Sequence, residues 1–83
     1  MYKNSEFLDY CYNNNFAGVY TCVRNKADLE QIHNEYNNNE TGLIIASKRG
    51  YLTIVDLLID SKVNINTKDN EQCDALMRAS ENN

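Results

Sequence analysis

The segment TGLIIASKRGYLTIVDLLID, residues 41–60, decides the fold of this chain. Its apolar residues form two short clusters with helical spacing, one around Leu43 and Ala46 and the other from Ile54 to Leu58. Gly50 lies between the clusters and can adopt the positive φ angle that ends a helix. Thr53 lies near the start of the second cluster, where short polar side chains are common. The segment therefore predicts two short helices joined by a tight turn.

The first cluster has a second copy further along the chain. The heptapeptide TGLIIAS recurs 33 residues later as DALMRAS, with Leu43 matched by Leu76 and Ala46 by Ala79. Between the two copies, residues 61–70 lose the helical period and become rich in Asn, which predicts an extended, turn-forming connector. A fixed period of this length indicates a repeat architecture.

This pattern resembles the ankyrin repeat, a unit of about 33 residues in which a β-turn finger precedes two antiparallel helices. The family motif runs Thr-Pro-Leu-His-x-Ala-Ala, then Gly-His, then Ile-Val-x-x-Leu-Leu, then Gly-Ala-x-Val-Asn with an Asp shortly after. This chain offers TGLIIAS from Thr41, GY from Gly50, IVDLL from Ile54, KVNIN from Lys62, and then Asp69. The resemblance implies an all-α solenoid of helix-turn-helix units with short β-turn finger connectors.

The chain departs from the motif at several positions. Gly42 stands where the motif has proline, and we expect it to reduce helix rigidity because glycine is a poor helix residue. Ile44 replaces the motif histidine. Lys62 replaces the finger glycine, and we expect it to force a different turn. In the next copy, Gln72 stands where glycine is usual.

The N-terminal region resembles a degenerate copy of the same unit. Residues Phe7–Cys11 and Val19–Val23 correspond to the two helices, and Lys26–Glu30 corresponds to the finger sequence after them. An alternative register places a helix from Asp28 to Tyr36, because the apolar residues of that stretch also have helical spacing.

The predicted organisation is one domain over residues 1–83, with about two and a half repeats. A degenerate first repeat spans 5–36, a full repeat spans 37–68, and an incomplete capping repeat spans 69–83. Because a single repeat cannot bury its own apolar face, neighbouring repeats must stack, and this number is close to the minimum. Leu76 and Met77 in the last unit predict exposed apolar area; the alternative is a polar cap formed by Arg78, Glu81, Asn82 and Asn83.

Composition excludes several classes of function. Twelve acidic residues against eight basic ones give a net charge of -4, which disfavours nucleic-acid binding. The longest apolar run, Leu43–Ala46, is far too short for a membrane span or a signal-peptide core. Three cysteines without a Cys-x-x-Cys pair predict a reducing compartment. We expect the cytoplasm of the producing cell, or of a host cell for a viral or effector protein.

Candidate catalytic and metal-binding residues are few. His33 is the only histidine and lies in a polar stretch. Cys11, Cys22 and His33 are spaced by eleven residues, whereas zinc ligands usually come in close pairs, so we assign both cysteines to the core. Asp56 and Asp60 are predicted to form a solvated helix face and not a carboxylate pair for catalysis. The sequence therefore predicts no enzyme, no cofactor and no metal.

The resemblance also suggests where a partner protein would bind. In ankyrin repeat proteins, partners usually lie along the concave face formed by the finger tips and the first helices. Lys48 and Arg49 give this face one cationic spot, and Cys73 is expected on an exposed finger. The prediction is a non-catalytic protein-binding module; the alternative is a self-associating structural subunit, a homo-oligomer that uses its terminal repeat. The positions of this chain that match the concave face are Asn37, Asn38, Glu40, Lys48, Arg49, Asn70, Glu71 and Cys73.

Overall fold

The computed structural model describes residues 6–32, 40–69 and 71–81. In these ranges the chain forms five helices: α1 (Glu6–Tyr12), α2 (Phe16–Arg24), α3 (Gly42–Arg49), α4 (Leu52–Asp60) and α5 (Ala75–Glu81). The described residues contain no strand, and a single antiparallel bridge joins Ile32 to Thr41. The predicted all-α class is confirmed.

Helix α3 forms the centre of the core. It packs against α1, α4 and α5, while α1 also contacts α2, and α2 contacts α4. Residues Gly42 to Ser47 are all buried, which gives α3 no exposed side until its last turn. The largest buried side chains around it include Phe7, Leu8, Ile54 and Leu58. Each such side chain contributes about 1.5–3 kcal/mol through removal from water, so packing around α3 is the main source of stability.

The helix starts follow from local sequence. Three helices follow a capping side chain that accepts a hydrogen bond from the backbone N–H three residues later. The caps are Asn15 before α2, Thr41 before α3 and Asp74 before α5, with distances of 2.9, 3.3 and 3.0 Å. Thr41 and Asp74 are 33 residues apart, so both copies of the heptapeptide begin with the same cap. Helix α4 begins without a side-chain cap, because Tyr51 supplies none and Thr53 lies inside the helix.

The turns after the helices rely on positive φ angles. Gly50 ends α3 with φ of 73°, as predicted. Lys62 follows α4 with φ of 70°, so the expectation that it forces a different turn is wrong: the lysine adopts the conformation that glycine favours. Lys26 after α2 and Gln72 before α5 have φ angles of 60° and 65°. Left-handed geometry costs an ordinary residue roughly 1–2 kcal/mol, so these turns are strained.

The first repeat has the register that places two helices before residue 25. Helices α1 and α2 contain the predicted segments Phe7–Cys11 and Val19–Val23. Residues 28–32 form a turn and an extended stretch, so the alternative helix from Asp28 to Tyr36 is wrong over that part, and residues 33–36 lie outside the described ranges.

Glycine is required at position 42 because α1 and α3 pack closely there. A Cβ atom at this position would lie 2.7 Å from ring atoms Cε2 and Cζ of Phe7 and 2.9 Å from Sγ of Cys11. Phe7 and Cys11 are 2% and 0% exposed, so neither has space into which to move. The departure from the motif proline therefore allows α1 to approach α3 closely.

Candidate partner-binding surface

The eight predicted binding residues separate into two groups. Asn37, Asn38 and Asn70 lie outside the described residues. The other five lie on both sides of α3 and before α5: Glu40 precedes α3, Lys48 and Arg49 form its last turn, and Glu71 and Cys73 belong to the connector that leads into α5.

Glu40 is not an exposed finger residue, and that prediction is wrong. The residue is 3% exposed, and its carboxylate Oε2 lies 2.6 Å from Nζ of Lys48. Residue 40 directly precedes the buried cap Thr41, and the Lys48 side chain reaches it from the last turn of α3. Glu40 therefore orients Lys48, whose side chain is 38% exposed. Because solvent reaches the Lys48 side of this pair, the pair contributes less to stability than a fully buried one would.

Arg49 is exposed but oriented by an aromatic ring. Its guanidinium carbon lies 4.7 Å from the centroid of the Tyr12 ring at the end of α1, within the range of a cation–π contact. The hydroxyl of Tyr51 donates a hydrogen bond to the carbonyl oxygen of Tyr12 at 3.2 Å. These two contacts connect the first repeat to the second and hold the cationic end of α3 in place.

Asp69 organises the connector before α5. Its Oδ1 accepts hydrogen bonds from the backbone N–H groups of Glu71 and Cys73, at 2.9 and 3.1 Å. Its Oδ2 accepts from Nε and a terminal nitrogen of Arg78, at 3.0 and 2.7 Å. Burial alone would raise the pKa of Asp69, but the hydrogen bonds from Arg78, Cys73 and Glu71 and the charge of Arg78 outweigh it and lower the pKa.

The sequence had suggested, as an alternative, that Arg78 belongs to an exposed polar cap. The structure shows instead that Arg78 is buried. It is 7% exposed, and the same terminal nitrogen also lies 2.6 Å from Oε1 of Glu71. A buried arginine requires such partners, because an uncompensated charge in the interior is unfavourable. The motif aspartate was recognisable in the sequence, whereas Arg78 occupies a variable motif position and gave no signal. Asn82 and Asn83 lie outside the described residues.

The three cysteines have different environments. Cys11 is fully buried, as predicted, and burial, together with the charge of Cys22, raises its pKa to about 12. Cys22 is half-buried against the core, and its pKa is raised by burial and then by the charge of Glu6. Cys73 is also half-buried, so its predicted place on an exposed finger is only partly correct.

The described residues hold no group of three or more side chains suited to a metal ion. Asp56 and Asp60 are exposed on α4, as predicted. None of the helices in residues 6–32, 40–69 and 71–81 has the length and apolar character needed to cross a bilayer.

An apolar groove of about 220 Å³ lies between α3, α4, α5 and the connector after α4. Its lining includes Val55 and Ile59 of α4, Ile65 of the connector, and Leu76 of α5. Leu76 is 74% exposed and Met77 46%, which agrees with the predicted apolar area in the last unit.

The family comparison agrees with this architecture. A family model described as ankyrin repeats, in three copies, matches residues 7–83. A comparison with curated protein sequences gives no match. Ankyrin repeats are generally protein–protein interaction modules and are typically not enzymes. The boundaries predicted for the individual repeats, 5–36, 37–68 and 69–83, stay a prediction. Because the match covers nearly the whole length and the described helices follow the repeat order, the chain belongs to the ankyrin repeat family.

Proposed function

We propose that this chain is a non-catalytic module that binds a partner protein through its finger face, which we define by Lys48, Arg49, Glu71 and Cys73. Asn37, Asn38 and Asn70 join this face in the proposal because they match finger positions of the motif. The observation that carries the proposal is the contrast along α3: its residues from 42 to 47 are buried, whereas Lys48 and Arg49 at its end are exposed.

The charged groups of the finger face are held in place before any partner arrives. Lys48 is paired with Glu40, Arg49 lies over Tyr12, and Glu71, whose side chain is 64% exposed, is paired with Arg78. Side chains that are already ordered lose less conformational entropy on association, which favours binding. Because the face carries both signs of charge, a partner surface with both acidic and basic groups fits it better than a polyanion.

The test compares one triple variant and one double variant as baits in the native host extract. Lys48→Ala, Arg49→Ala and Glu71→Ala together are expected to lose the bound partner, as quantified by mass spectrometry. Asp56→Ala with Asp60→Ala, on the exposed face of α4, serves as the matched control and is expected to retain it. Circular dichroism must show that both baits are folded. Equal partner recovery by both variants would rule out the finger face as the binding surface.

For this function we propose the cytoplasm of the producing cell, or of a host cell, as the compartment. All three cysteines are free thiols, which suits a reducing environment.

A second proposed function is self-association through the last unit. Leu43 and Leu76 occupy the same place in the repeat, but Leu43 is 3% exposed and Leu76 is 74% exposed. The unit that contains α5 presents an apolar groove, and an exposed apolar surface of this kind favours association. Sedimentation velocity over a concentration series tests the idea: the proposal predicts oligomers that grow with concentration, and a strict monomer would eliminate it.

A further inference from the structure

Equivalent residues of α3 and α5 show how much apolar surface is left exposed beside the groove between α4 and α5, which we call the α4–α5 groove. Leu43 and Ile44 of α3 are 3% and 1% exposed, whereas their equivalents 33 residues later, Leu76 and Met77, are 74% and 46% exposed. Helix α3 contacts α4 as well as α1 and α5, whereas α5 makes its main helix contact with α3. Within the residues that the structure describes, no helix lies against α5 as α4 lies against α3.

Helix α4 shows which properties a helix in that position needs. It has nine residues, and Ile54 and Leu58, four positions apart, are fully buried beneath it. A helix of about this length with two large apolar side chains at positions i and i+4 can fill the groove between α4 and α5. Among the residues that line the groove, Asp74 is the one with a charge, so a cation at one end of the incoming helix is favoured.

Helix α2 presents a surface with these properties. It also has nine residues, and Phe16 and Tyr20, at positions i and i+4, are each 44% exposed. Their rings are stacked with centroids 6.2 Å apart. The guanidinium carbon of Arg24, one turn further on, lies 5.9 Å from the centroid of the Tyr20 ring. The helix thus carries an exposed apolar stripe that ends in a cation.

We propose that the α2 stripe of one copy, formed by Phe16, Tyr20 and Arg24, occupies the α4–α5 groove of a second copy, with Arg24 near Asp74. This pairing rests on the proposed self-association and specifies its geometry. The two surfaces are different, so the contact is heterologous, and a dimer still has one unused groove on one copy and one unused stripe on the other. Assembly therefore continues beyond the dimer, as a head-to-tail array or a closed ring.

A complementation experiment by sedimentation velocity tests the pairing. Leu76→Arg disables the groove by placing a cation where Arg24 must approach, and Tyr20→Glu disables the stripe; both side chains are exposed enough for the fold to tolerate the change. Each variant alone is expected to be monomeric. An equimolar mixture is expected to form a heterodimer and nothing larger, because one intact groove meets one intact stripe. Thr21→Glu adds the same charge to α2 beside the stripe and is expected to assemble like the wild type.

The outcomes separate this pairing from self-association in general. A wild-type chain that stays monomeric at every concentration overturns both. A dimer that Leu76→Arg abolishes and Tyr20→Glu preserves shows a symmetric groove-to-groove contact, which keeps self-association and overturns the α2 pairing. If Tyr20→Glu lowers the helical content, the variant Arg24→Glu, at an exposed position, takes its place in the mixture with Leu76→Arg. Absence of a heterodimer in that mixture overturns the pairing.

Discussion

The replacement Gly42→Ala gives the sharpest test of how the first repeat is joined to the second. General helix propensity predicts that alanine stabilises the first turn of α3, by up to about 1 kcal/mol over glycine. Packing predicts the opposite. The new methyl group would lie 2.7 Å from the ring of Phe7 and 2.9 Å from the sulfur of Cys11, both closer than carbon atoms normally approach.

The structure indicates that packing dominates. Phe7 is 2% and Cys11 0% exposed, so relief requires α1 to move away from α3 as a unit and to weaken contacts along its length. Insertion of a methyl group into a well-packed core typically costs about 1–3 kcal/mol. After subtraction of the propensity gain, we expect the free energy of unfolding to fall by up to about 2 kcal/mol, which lowers Tm by up to roughly 16 °C in a domain of this size.

Urea unfolding followed by far-ultraviolet circular dichroism measures this change. The matched control is Gly18→Ala in α2, where the new methyl group would approach the Tyr10 ring at 2.5 Å. Tyr10 is only half-buried and can turn toward solvent, so we expect a smaller loss. The double variant Phe7→Leu with Gly42→Ala should lose less than the sum of its two single changes, because the smaller side chain relieves the contact. A Gly42→Ala protein more stable than the wild type, as helix propensity alone predicts, would refute the packing explanation.

Three further predictions concern single residues. Lys62→Gly is expected to raise the free energy of unfolding by about 0.5–1 kcal/mol, because relief of the left-handed strain exceeds the added entropy of the unfolded chain; the urea midpoint measures it, and a lower midpoint would contradict it. Asp69→Asn is expected to destabilise the protein at neutral pH, where Arg78 loses the buried carboxylate of Asp69 and keeps the exposed one of Glu71. Since the folded-state pKa of Asp69 is lowered, its contribution is complete above its unfolded pKa of about 4 and is lost as the pH falls through the folded value, so wild type and variant should converge in acid. A stability difference that stays constant down to pH 2, as an acid titration of the unfolding midpoint would show, speaks against this assignment. Alkylation followed by mass spectrometry is expected to modify Cys73 well before Cys11, whose pKa burial raises to about 12; equal rates would disagree with the buried position of Cys11.

The positions of the helices could be predicted from the sequence because the signals that determine them are local. The apolar period of residues 54–58, the cap at Thr41 and the helix end at Gly50 each act within one or two helical turns. The 33-residue offset added the repeat architecture, since Thr41 and Asp74 serve the same role in consecutive units.

The roles of residues that depend on contacts with other parts of the chain could not be predicted from the sequence. Gly42 reads as a poor helix residue until Phe7 is placed against it, 35 residues away in the sequence. Glu40 reads as a surface acid because nothing in its immediate neighbourhood indicates burial, and only the approach of Lys48 shows its role. Arg78 reads as a polar cap for the same reason. The pattern of a single sequence indicates helix propensity and apolar period, but it does not indicate which element packs against a given residue.

These corrections change where binding specificity is expected in the chain. A variable position of a repeat is a candidate for partner contact only if the scaffold does not already use its side chain. Glu40 and Arg78 are variable positions of the motif, yet both are buried and ion-paired, so substitution there acts first on stability. Among the residues that the structure describes, the surfaces left for recognition are the accessible end of α3, the exposed carboxylate of Glu71 and the apolar groove beside α5. Because the finger face is charged and the groove is apolar, binding at the first should weaken with added salt, whereas assembly through the groove should largely persist.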